Sequence, residues 1–516
     1  KIRKQVHIRI IGDYDVDGVT SSHLFLTALR RVGAKVDVVI PHRIQDGYGL
    51  SLHLLQQAKE DGVDTILTCD NGIAAIDEIA WAKAQKMTVL VTDHHAVPFE
   101  EHEGRRTEKK SLADAVVNPH QQDCGYPYKE LCGAGVAWNV IRVLYENYDM
   151  DKREAEDLLD FVAMATVCDV MSLTGENRIL VKEGLKRIRH TKNIGLQALM
   201  QACNVQPENI SAYHFGYVFG PCVNATGRLD TARHALRLFE TGQETEAEEI
   251  ARDLVDLNQE RKELTLQGVE MAKKLCEEGG YENDPVLVLF LPDVHESIAG
   301  LIAGRIREMY NRPVFVLTRG EEGVKGSGRS TENYSMYENM CGCAELFTKF
   351  GGHPMAAGLS LPEENVEKFR RKINENCPLT VEEVCPDIHI DMAMPVGYAS
   401  TELVHQFALL EPFGKDNPSP LFADRNLSIS RMWLIGKNRN VLRMSVLSEY
   451  GQPVPVIFFG DVETLFAYFT EKFGQEEVEN ALHGRKNRIL FSMVYTAKID
   501  FYQGNENLQL EMKYYR

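Results

Sequence analysis

The sequence predicts an α/β protein with three parts: a lobe built on a parallel sheet, a smaller α/β lobe joined to it by a long helix, and a C-terminal β-barrel. Three patterns predict these parts. Short β-branched runs alternate with helical runs over residues 1–120, a helical stretch begins near Glu244, and strand-like runs dominate after residue 420. Because a chain of 516 residues is too long for one hydrophobic core, about two to four domains are expected.

The composition is that of a soluble globular protein, with 44% hydrophobic and 26% charged residues. No apolar run approaches the ~18 residues of a membrane helix, and the first residues lead into a strand instead of a signal peptide, which predicts a cytoplasmic protein. Eleven scattered cysteines without a Cys-x-x-Cys pair favour reduced thiols over disulfides or zinc. The net charge of −18 argues against a protein that coats nucleic acid, although basic patches allow local binding.

The first β-branched run, Val6–Ile11, ends at a loop that carries Asp13, Asp15 and Asp17. Three carboxylates at alternate positions offer the oxygen ligands that Mg²⁺ and Mn²⁺ prefer, so a metal site is the first hypothesis. An EF-hand loop is a weaker alternative, because its twelfth position is Leu24 instead of Glu and a strand precedes it. For this loop alone, a solvated acidic turn is also open.

Further candidate ligands follow later strands of the same lobe. The predicted strands are Val6–Ile11, Lys35–Ile40, Thr65–Cys69, Val89–Thr92 and Ala115–Asn118, and the helices are Gly18–Val32, Leu50–Asp61 and Ile73–Lys86. Asp70 follows the third strand, and Asp93, His94 and His95 follow the fourth. Because the carboxyl ends of parallel strands meet at one edge, these residues are expected to converge with the first loop. With Asp169, at the end of a helical run, they favour Mn²⁺ or Mg²⁺ over structural zinc.

A long helix and a second α/β unit come next. Residues Glu244 to Glu278 contain few helix breakers apart from Gly268, which predicts a helix that joins two lobes. Strand Val286–Leu291, helix Glu296–Tyr310 and strand Val314–Thr318 are predicted after it. The glycine-rich segment of residues 326–330 is then expected to form a loop that can hold phosphate oxygens, although an ordinary loop is the commoner role of such a sequence.

The last part of the chain has features of a nucleic-acid-binding barrel. Five predicted strands and one helix, Glu463–Phe473, suggest an OB-fold; the strands are Leu421–Ile435, Val441–Leu447, Val454–Phe459, Arg488–Thr496 and Leu508–Tyr514. Its first hairpin combines one ring with four cations, namely Trp433 with Arg431, Lys437, Arg439 and Arg443. This combination suits single-stranded nucleic acid, and a core position for Trp433 is an equally good interpretation.

Several motifs occur in order along the chain. They are Asp15-x-Asp17 with Asp70, Asp93-His94-His95 with Asp169, Pro41-His-Arg43 with Gly47-Tyr48-Gly49, Gly220-Pro-Cys-Val-Asn224-Ala-Thr-Gly227-Arg228, Lys325-Gly-Ser327-Gly-Arg329-Ser330 and Phe350-Gly-Gly-His353-Pro-Met-Ala-Ala-Gly358. Together they resemble the DHH phosphoesterase family, and within it the bacterial exonucleases of single-stranded DNA. The resemblance implies a DHH catalytic domain at 1–240, a connecting helix at 241–284, a substrate-binding DHHA1 domain at 285–380 and an OB-fold nucleic-acid-binding domain at 385–516.

The resemblance also implies residue roles. Two ions, Mn²⁺ or Mg²⁺, would be bound by Asp13, Asp15, Asp17, Asp70, His94 and Asp169, with Asp70 as the bridge. Asp15 would serve one ion, and Asp17, His94 and Asp169 the other. The catalytic group would be Asp70, His94, His95 and Asp169, with His95 near the substrate phosphate and Asp93 orienting an imidazole. The substrate would contact Arg43, Tyr48, Arg228, Ser327, Arg329, Ser330 and His353. For Asp93 and His95, a role in shaping the loop alone is also open.

The activity implied is 5′→3′ hydrolysis of single-stranded DNA to 5′-mononucleotides in recombination and repair. The implied partners are single-stranded DNA with a 5′ end, single-strand-binding protein and a recombination helicase, and a monomer without membrane contact is expected. Two alternatives are open. A phosphodiesterase of short oligonucleotides or cyclic dinucleotides would not need the basic third domain, and a non-catalytic DNA-binding relative would not need to keep the metal ligands.

Three positions depart from the family pattern. Cys222 stands where the family has Arg, and Val294 stands where an aromatic residue often precedes the histidine, here His295. Ile11 occupies the position of a metal-binding His in related pyrophosphatases, so two expectations are open: Asp13 compensates as a ligand, or the first metal ion is held more loosely. The chain also begins directly at the first strand, where the family has a leader segment, so an N-terminal piece is expected to be missing from this sequence.

Overall fold

The computed structural model describes residues 1–42, 46, 49–102, 105–229, 231–281, 283–320, 323–383, 387–436, 439–502 and 505–516. The chain divides into two units, Lys1–Asp387 and Ile388–Arg516. Each unit has hydrophobic core clusters of its own.

The β-branched runs at the start of the chain form an all-parallel sheet, as predicted. The strands of this region are β1 (His7–Ile11), β2 (Lys35–Val39), β3 (Thr65–Cys69), β4 (Thr88–Thr92), β5 (Phe99–His102), β6 (Arg105–Glu108) and β7 (Ala115–Val117). The sheet order is β2-β1-β3-β4-β7, while β5 and β6 pair in a separate hairpin that the sequence did not predict. In the sheet, Ile11 pairs with Thr68 and Cys69 with Thr92, so the strands end side by side.

Helices cover this sheet and extend the first lobe. They are α1 (Val16–Arg31), α2 (Leu52–Glu60), α3 (Ile76–Ala84), α4 (Gly133–Asn147), α5 (Lys152–Glu156), α6 (Leu159–Cys168), α7 (Gly175–Ile188), α8 (Ile194–Ala202), α9 (Ala212–His214), α10 (Gly220–Leu229) and α11 (Arg233–Glu240). A π-helical turn, Phe215–Phe219, joins α9 to α10. Helix α1 is buried over most of its length because α4 and α6 pack against it.

The predicted connecting helix is present as α12 (Glu244–Glu278), which has 35 residues. At 1.5 Å per residue it is about 52 Å long. It packs against α8 and α10 of the first lobe and against α13 (Glu296–Tyr310) of the second. Gly268 allows the last contact, since a Cβ there would lie 2.3 Å from Cδ1 of Ile302.

The second lobe is a mixed sheet with helices. Besides α13, its elements are β8 (Leu287–Phe290), β9 (Val314–Gly320), β10 (Gly323–Arg329), α14 (Met336–Cys341), β11 (Lys349–His353), β12 (Ala356–Leu361) and α15 (Val366–Glu375). The sheet order is β11-β12-β10-β9-β8, in which β8 and β9 are parallel and the other pairs are antiparallel.

The expectation of a glycine-rich phosphate loop at residues 326–330 was wrong for residues 326–329, which lie in β10. Instead, the absence of a side chain at these glycines leaves room for neighbouring core residues. A Cβ on Gly326 would lie 2.4 Å from Cδ2 of Leu317, and a Cβ on Gly328 would lie 2.7 Å from the ring of Phe315. Because side chains alternate along a strand, Lys325, Ser327 and Arg329 share the opposite face.

The second unit contains the predicted strands of the OB region. Its elements are β13 (Met392–Ala393), α16 (Thr401–Phe407), β14 (Phe422–Ile435), β15 (Val441–Leu447), β16 (Pro453–Phe458), α17 (Val462–Phe473), α18 (Gln475–Leu482), β17 (Leu490–Tyr502) and β18 (Asn505–Tyr515). The sheet order is β13-β14-β15-β16-β18-β17, and β14 also pairs with β17. Trp433 is half-buried, with the guanidinium carbons of Arg431 and Arg443 5.7 and 6.0 Å from its ring centroid. Lys437 lies outside the described residues.

Among the residues that the structure describes, no helix has the length and apolar character needed to cross a lipid bilayer.

Gly184→Ala tests how closely α6 and α7 pack. A Cβ on Gly184 would lie 2.3 Å from the carbonyl oxygen of Leu159 and 2.3 Å from Cβ of Ala163, so the two helices must separate. We expect a loss of about 1–3 kcal/mol in the free energy of unfolding, measured by urea denaturation. Gly304→Ala in α13 is the matched control, because nothing lies within 4 Å of its Cβ position, and it should gain about 0.5–1 kcal/mol. Equal stability of the Gly184→Ala protein and the parent would contradict this packing.

Candidate metal centre

The loop after β1 places three aspartates at the edge of the parallel sheet. Asp13 and Asp17 are buried, and Asp15 caps α1, its side chain accepting a hydrogen bond from the Gly18 amide at 3.0 Å. Gly18 is required by this tight turn, since a Cβ there would lie 2.4 Å from the backbone oxygen of Asp13. The loop thus directs its carboxylates inward and not into solvent.

Asp17 is fixed by the N-terminus of α4. Its two oxygens accept hydrogen bonds from the amides of Gly133 at 2.6 Å and Ala134 at 2.7 Å. A helix N-terminus presents unpaired N–H groups and a partial positive charge, so it stabilises the buried carboxylate. Gly133 also has to lack a side chain, because a Cβ would lie 2.6 Å from Cβ of Asp70.

Asp70 follows β3 in a left-handed backbone conformation, with φ of 61°. This conformation is uncommon for a residue other than glycine and turns the buried carboxylate toward the loop of Asp15 and Asp17. Burial and the negative charges of these two residues raise the pKa of Asp70 well above its ordinary value. Burial and the charge of Asp17 likewise raise the pKa of Asp15. The site therefore concentrates more negative charge than its own groups neutralise.

Asp93 fixes the loop that carries His94 and His95. Its carboxylate accepts hydrogen bonds from the amides of Ile73, His94 and His95 at 2.9, 2.7 and 3.0 Å, and its Oδ1 lies 2.7 Å from Nδ1 of His95. Burial alone would lower the pKa of His95, but the contact with Asp93 prevails and raises it to about 9. Asp93 thereby fixes the loop and the ring of His95.

His94 is the point at which the acidic residues converge. Its Nε2 atom lies 3.0 Å from Oδ1 of Asp70, 3.7 Å from Oδ2 of Asp17 and 3.6 Å from Oδ2 of Asp169. Asp169 reaches this position because it directly follows the end of α6. Burial lowers the pKa of His94, which keeps the imidazole neutral, the form that binds metal ions.

The described residues offer three sets of ligand atoms for a cation, each set lying within 4.8 Å: Asp13, Asp15 and Asp70; Asp17, His94 and Asp169; and Asp70, His94 and His95. Carboxylates with one or two imidazoles are the donors that Mn²⁺ accepts, and oxygen donors suit Mg²⁺. The buried Nε2 of His94, which has carboxylate oxygens nearby but no hydrogen bond of good geometry, fits a metal ligand.

The residues predicted to bind substrate are spread over two lobes. Arg228, near the end of α10, donates a hydrogen bond from Nη1 to the carbonyl oxygen of Ser297 at 2.5 Å and so links the first lobe to α13. Ser327 lines a cavity of about 520 Å³ together with Tyr14, Lys325 and Lys349. Arg43 and Tyr48 lie outside the described residues.

The other three predicted substrate residues occupy different surroundings. Arg329 lies over α13, where a Cβ on Gly300 would be 2.9 Å from its Nη2. Ser330 is buried, and its hydroxyl donates to the carbonyl oxygen of Tyr334 at 2.6 Å. His353 is exposed at the end of β11.

Sequence reasoning missed several groups that position the site. Apart from the small residues that begin α4, nothing in the sequence indicated that the amides of Gly133 and Ala134 bind Asp17. Asn224 stood in a quoted motif without a role, and its Oδ1 accepts a hydrogen bond from the Val16 amide at 3.1 Å. Asn71 donates from Nδ2 to the carbonyl oxygens of Ile11 and Cys69 at 3.1 and 2.9 Å, which ties the ends of β1 and β3 together.

The three departures from the motif pattern are buried. Cys222 packs beneath α12, with its Sγ accepting from Nδ2 of Asn258 at 3.4 Å, and Arg261 of α12 donates to the same Asn258 side chain. Val294 and Ile11 are core residues. None of these three side chains is among the described ligand sets.

Comparison with known proteins identifies the domains of this chain. Family models match at residues 7–166 (DHH family, N-terminal domain), 283–377 (DHHA1 domain) and 390–514 (RecJ OB domain). The single-stranded-DNA-specific exonuclease RecJ of Haemophilus influenzae is 33% identical over 99% of this chain and 88% of its own length. The Bacillus subtilis protein of the same name is 33% identical over 87% of this chain, which spans only 56% of that relative.

A solved structure agrees with the sequence relatives. The crystal structure of RecJ from Thermus thermophilus in complex with Mn²⁺ matches with a TM-score of 0.80 and 26% identity, over 100% of this chain and 69% of that one. Because a relative more than 30% identical is covered over most of its length, and all three domain models match in order, the chain belongs to the RecJ family of DHH proteins.

Proposed function

We propose that this chain is a metal-dependent exonuclease that degrades single-stranded DNA in the 5′→3′ direction to 5′-mononucleotides. The observation that carries the proposal is the convergence of Asp17, Asp70 and Asp169 on the buried, neutral imidazole of His94. A solvated acidic turn would not bury its carboxylates in this way. Family membership supports the choice of single-stranded DNA as the substrate.

The metal ligands are assigned from the described donor sets. Asp13, Asp15 and Asp70 would hold one divalent cation, and Asp17, His94 and Asp169 would hold the other, with Asp70 proposed as the shared ligand. Two such cations, Mn²⁺ or Mg²⁺, lower the pKa of water when bound and offset negative charge on the phosphoryl oxygens.

The remaining residues of the site position the substrate phosphate. Asp93, which holds His95 through Nδ1, raises the pKa of His95 and so favours the protonated ring, which offers a positive charge and a hydrogen-bond donor to that phosphate. Asp93 acts through His95 and the loop amides and does not itself touch the substrate.

We assign the single-stranded DNA to the side of the second lobe that faces the first lobe. Ser327, Lys325 and Lys349 line the 520 Å³ cavity that Tyr14 of the metal loop also reaches, so phosphates held there lie next to the metal centre. Arg228, Arg329, Ser330 and His353 complete the assigned contacts, together with Arg43 and Tyr48. In the second unit, Trp433 with Arg431 and Arg443 is assigned to single-stranded DNA.

The cellular role and partners belong to the same proposal. We assign the protein to the cytoplasm and to DNA recombination and repair, as a monomer that meets single-strand-binding protein and a recombination helicase. The domain boundaries at residues 240, 284 and 380 are proposed with it.

Digestion of end-labelled single-stranded DNA tests the activity. With Mn²⁺ we expect immediate release of the 5′ label as mononucleotide, little cutting of blunt duplex, and loss of activity in EDTA that added Mn²⁺ restores. Asp70→Ala should lower the rate at least ~100-fold, since it removes the ligand shared by the proposed ions. Cleavage of a cyclic dinucleotide with long strands untouched would replace the proposal by a small-substrate phosphodiesterase. Binding without cleavage would replace it by a scaffold.

Asp93→Asn tests the positioning of the histidines. The amide cannot accept all four hydrogen bonds that the carboxylate receives, and it lacks the charge that keeps His95 protonated, so we expect a loss of about 10–100-fold in activity or Mn²⁺ affinity. Rates are measured across a Mn²⁺ titration and between about pH 6 and 9. Asp77→Asn, which alters a carboxylate on α3 away from the donor sets, is the matched control and should change neither. If Asp93→Asn matches the parent at every Mn²⁺ concentration, Asp93 does not position the histidines.

A further inference from the structure

Two exposed tyrosines stack on each other in the segment that precedes α10. Tyr213 and Tyr217 are 61% and 71% exposed, and their ring centroids are 5.1 Å apart with an angle of 23° between the ring planes. They lie on α9 and the π-helical turn that follows it. Single exposed aromatic residues are ordinary on protein surfaces, but a stacked pair forms a continuous apolar surface in water.

The fold itself does not need these two rings. The turn is anchored by Phe215 and Phe219, which are buried, while the tyrosines point away from that core. Among the described residues, neither tyrosine hydroxyl has a hydrogen-bond partner, and the ring contacts are with each other and with His214. π-Helical turns are rare and are frequently found at functional sites. The turn therefore positions the two tyrosine rings, and the rings do not contribute to the packing of the turn.

The turn connects two parts of the metal centre. At its start, the carbonyl oxygen of Phe215 accepts from Sγ of Cys168 at 3.2 Å, and Asp169 is the next residue. After its end, α10 carries Asn224, which holds the amide of Val16 in the metal loop. Asn224 lies seven residues after Tyr217, or about 10 Å along a helix. The tyrosine pair thus lies on a segment that contacts the neighbour of Asp169 and leads into the helix that holds the metal loop.

Positive charge lies near the start of this segment, and a further cation follows on the next helix. Arg189 is exposed, and its Nη2 donates to the carbonyl oxygen of Ile210 at 3.4 Å, just before α9. In the described part of the chain Arg189 forms no ion pair. Arg228 follows on α10. Exposed aromatic faces near a cation suit an extended polynucleotide, since bases stack on the rings and phosphates pair with guanidinium groups.

We propose that Tyr213 and Tyr217 form a stacking platform for a base of the single-stranded DNA substrate. The platform is a base-binding site on the first lobe, separate from the phosphate contacts of the second lobe. It rests on the proposed function, because it takes the strand that the metal centre would cut. Stacking is independent of base identity, so the platform adds affinity for a flexible single strand and none for a base held inside a duplex.

Fluorescence of 2-aminopurine placed at successive positions of a single-stranded oligonucleotide tests this site. The full chain is used in EDTA, so that binding is measured without cleavage. We expect one position, or two adjacent ones, to be quenched by the parent and by Tyr217→Phe, and not by Tyr217→Ala. Ile179→Ala, which alters another exposed apolar residue of the first lobe, is the surface control and should behave as the parent.

The loss of stacking should also appear in affinity and kinetics. Tyr217→Ala should weaken oligonucleotide binding about 5- to 150-fold. With Mn²⁺ it should raise KM and leave kcat unchanged. An abasic site at the quenched position should weaken binding to the parent by the same factor and have no further effect on Tyr217→Ala, because both changes remove one contact.

The possible failures are distinguishable. If the parent binds the strand but no position depends on Tyr217, or if an abasic site and Tyr217→Ala act additively, the platform is overturned and the proposed exonuclease stands. If the parent binds no single-stranded DNA in EDTA and also releases no label from it with Mn²⁺, the proposed function fails and this site fails with it. Circular dichroism of Tyr217→Ala should match the parent, because the ring is exposed.

Discussion

The structure depends on how it holds several carboxylates in one buried site. Burial and mutual repulsion raise the pKa of Asp15 and of Asp70, so the folded chain favours protonation unless positive charge is supplied. Part of that charge comes from the N-terminus of α4, whose amides bind both oxygens of Asp17. A divalent cation would supply the remaining positive charge and neutralise the other carboxylate oxygens.

That requirement also determines how the surrounding elements connect. Asn71 ties the ends of β1 and β3 to each other, and Asn224 ties α10 to the metal loop. Arg228, on the same helix α10, reaches the backbone of Ser297 in the second lobe. Helix α10 therefore contacts both the metal loop and the start of α13.

The sequence predicted the parts of this arrangement that depend on local pattern. The five parallel strands, the long helix α12 and the convergence of Asp13, Asp70 and His94 all follow from periodicity and from where strands end. It failed where long-range packing decides. Gly326 and Gly328 form a strand because Leu317 and Phe315 fill the space beside them, which no local pattern records. The amides that bind Asp17 lie 116 and 117 residues away along the chain, so no spacing rule could find them.

The two main candidate ligand sets are chemically different, and the apolar Ile11 offers a donor to neither of them. Asp13, Asp15 and Asp70 offer only oxygens, whereas Asp17, His94 and Asp169 include an imidazole. A histidine at position 11 would have made the sets alike, but Ile11 is fully buried in a core cluster with Leu50 and Leu55, so that side of the site is closed by apolar packing. Mg²⁺ suits oxygen donors, while Mn²⁺ also accepts imidazole. The first set is thus equally suited to either ion, and the second is better suited to Mn²⁺.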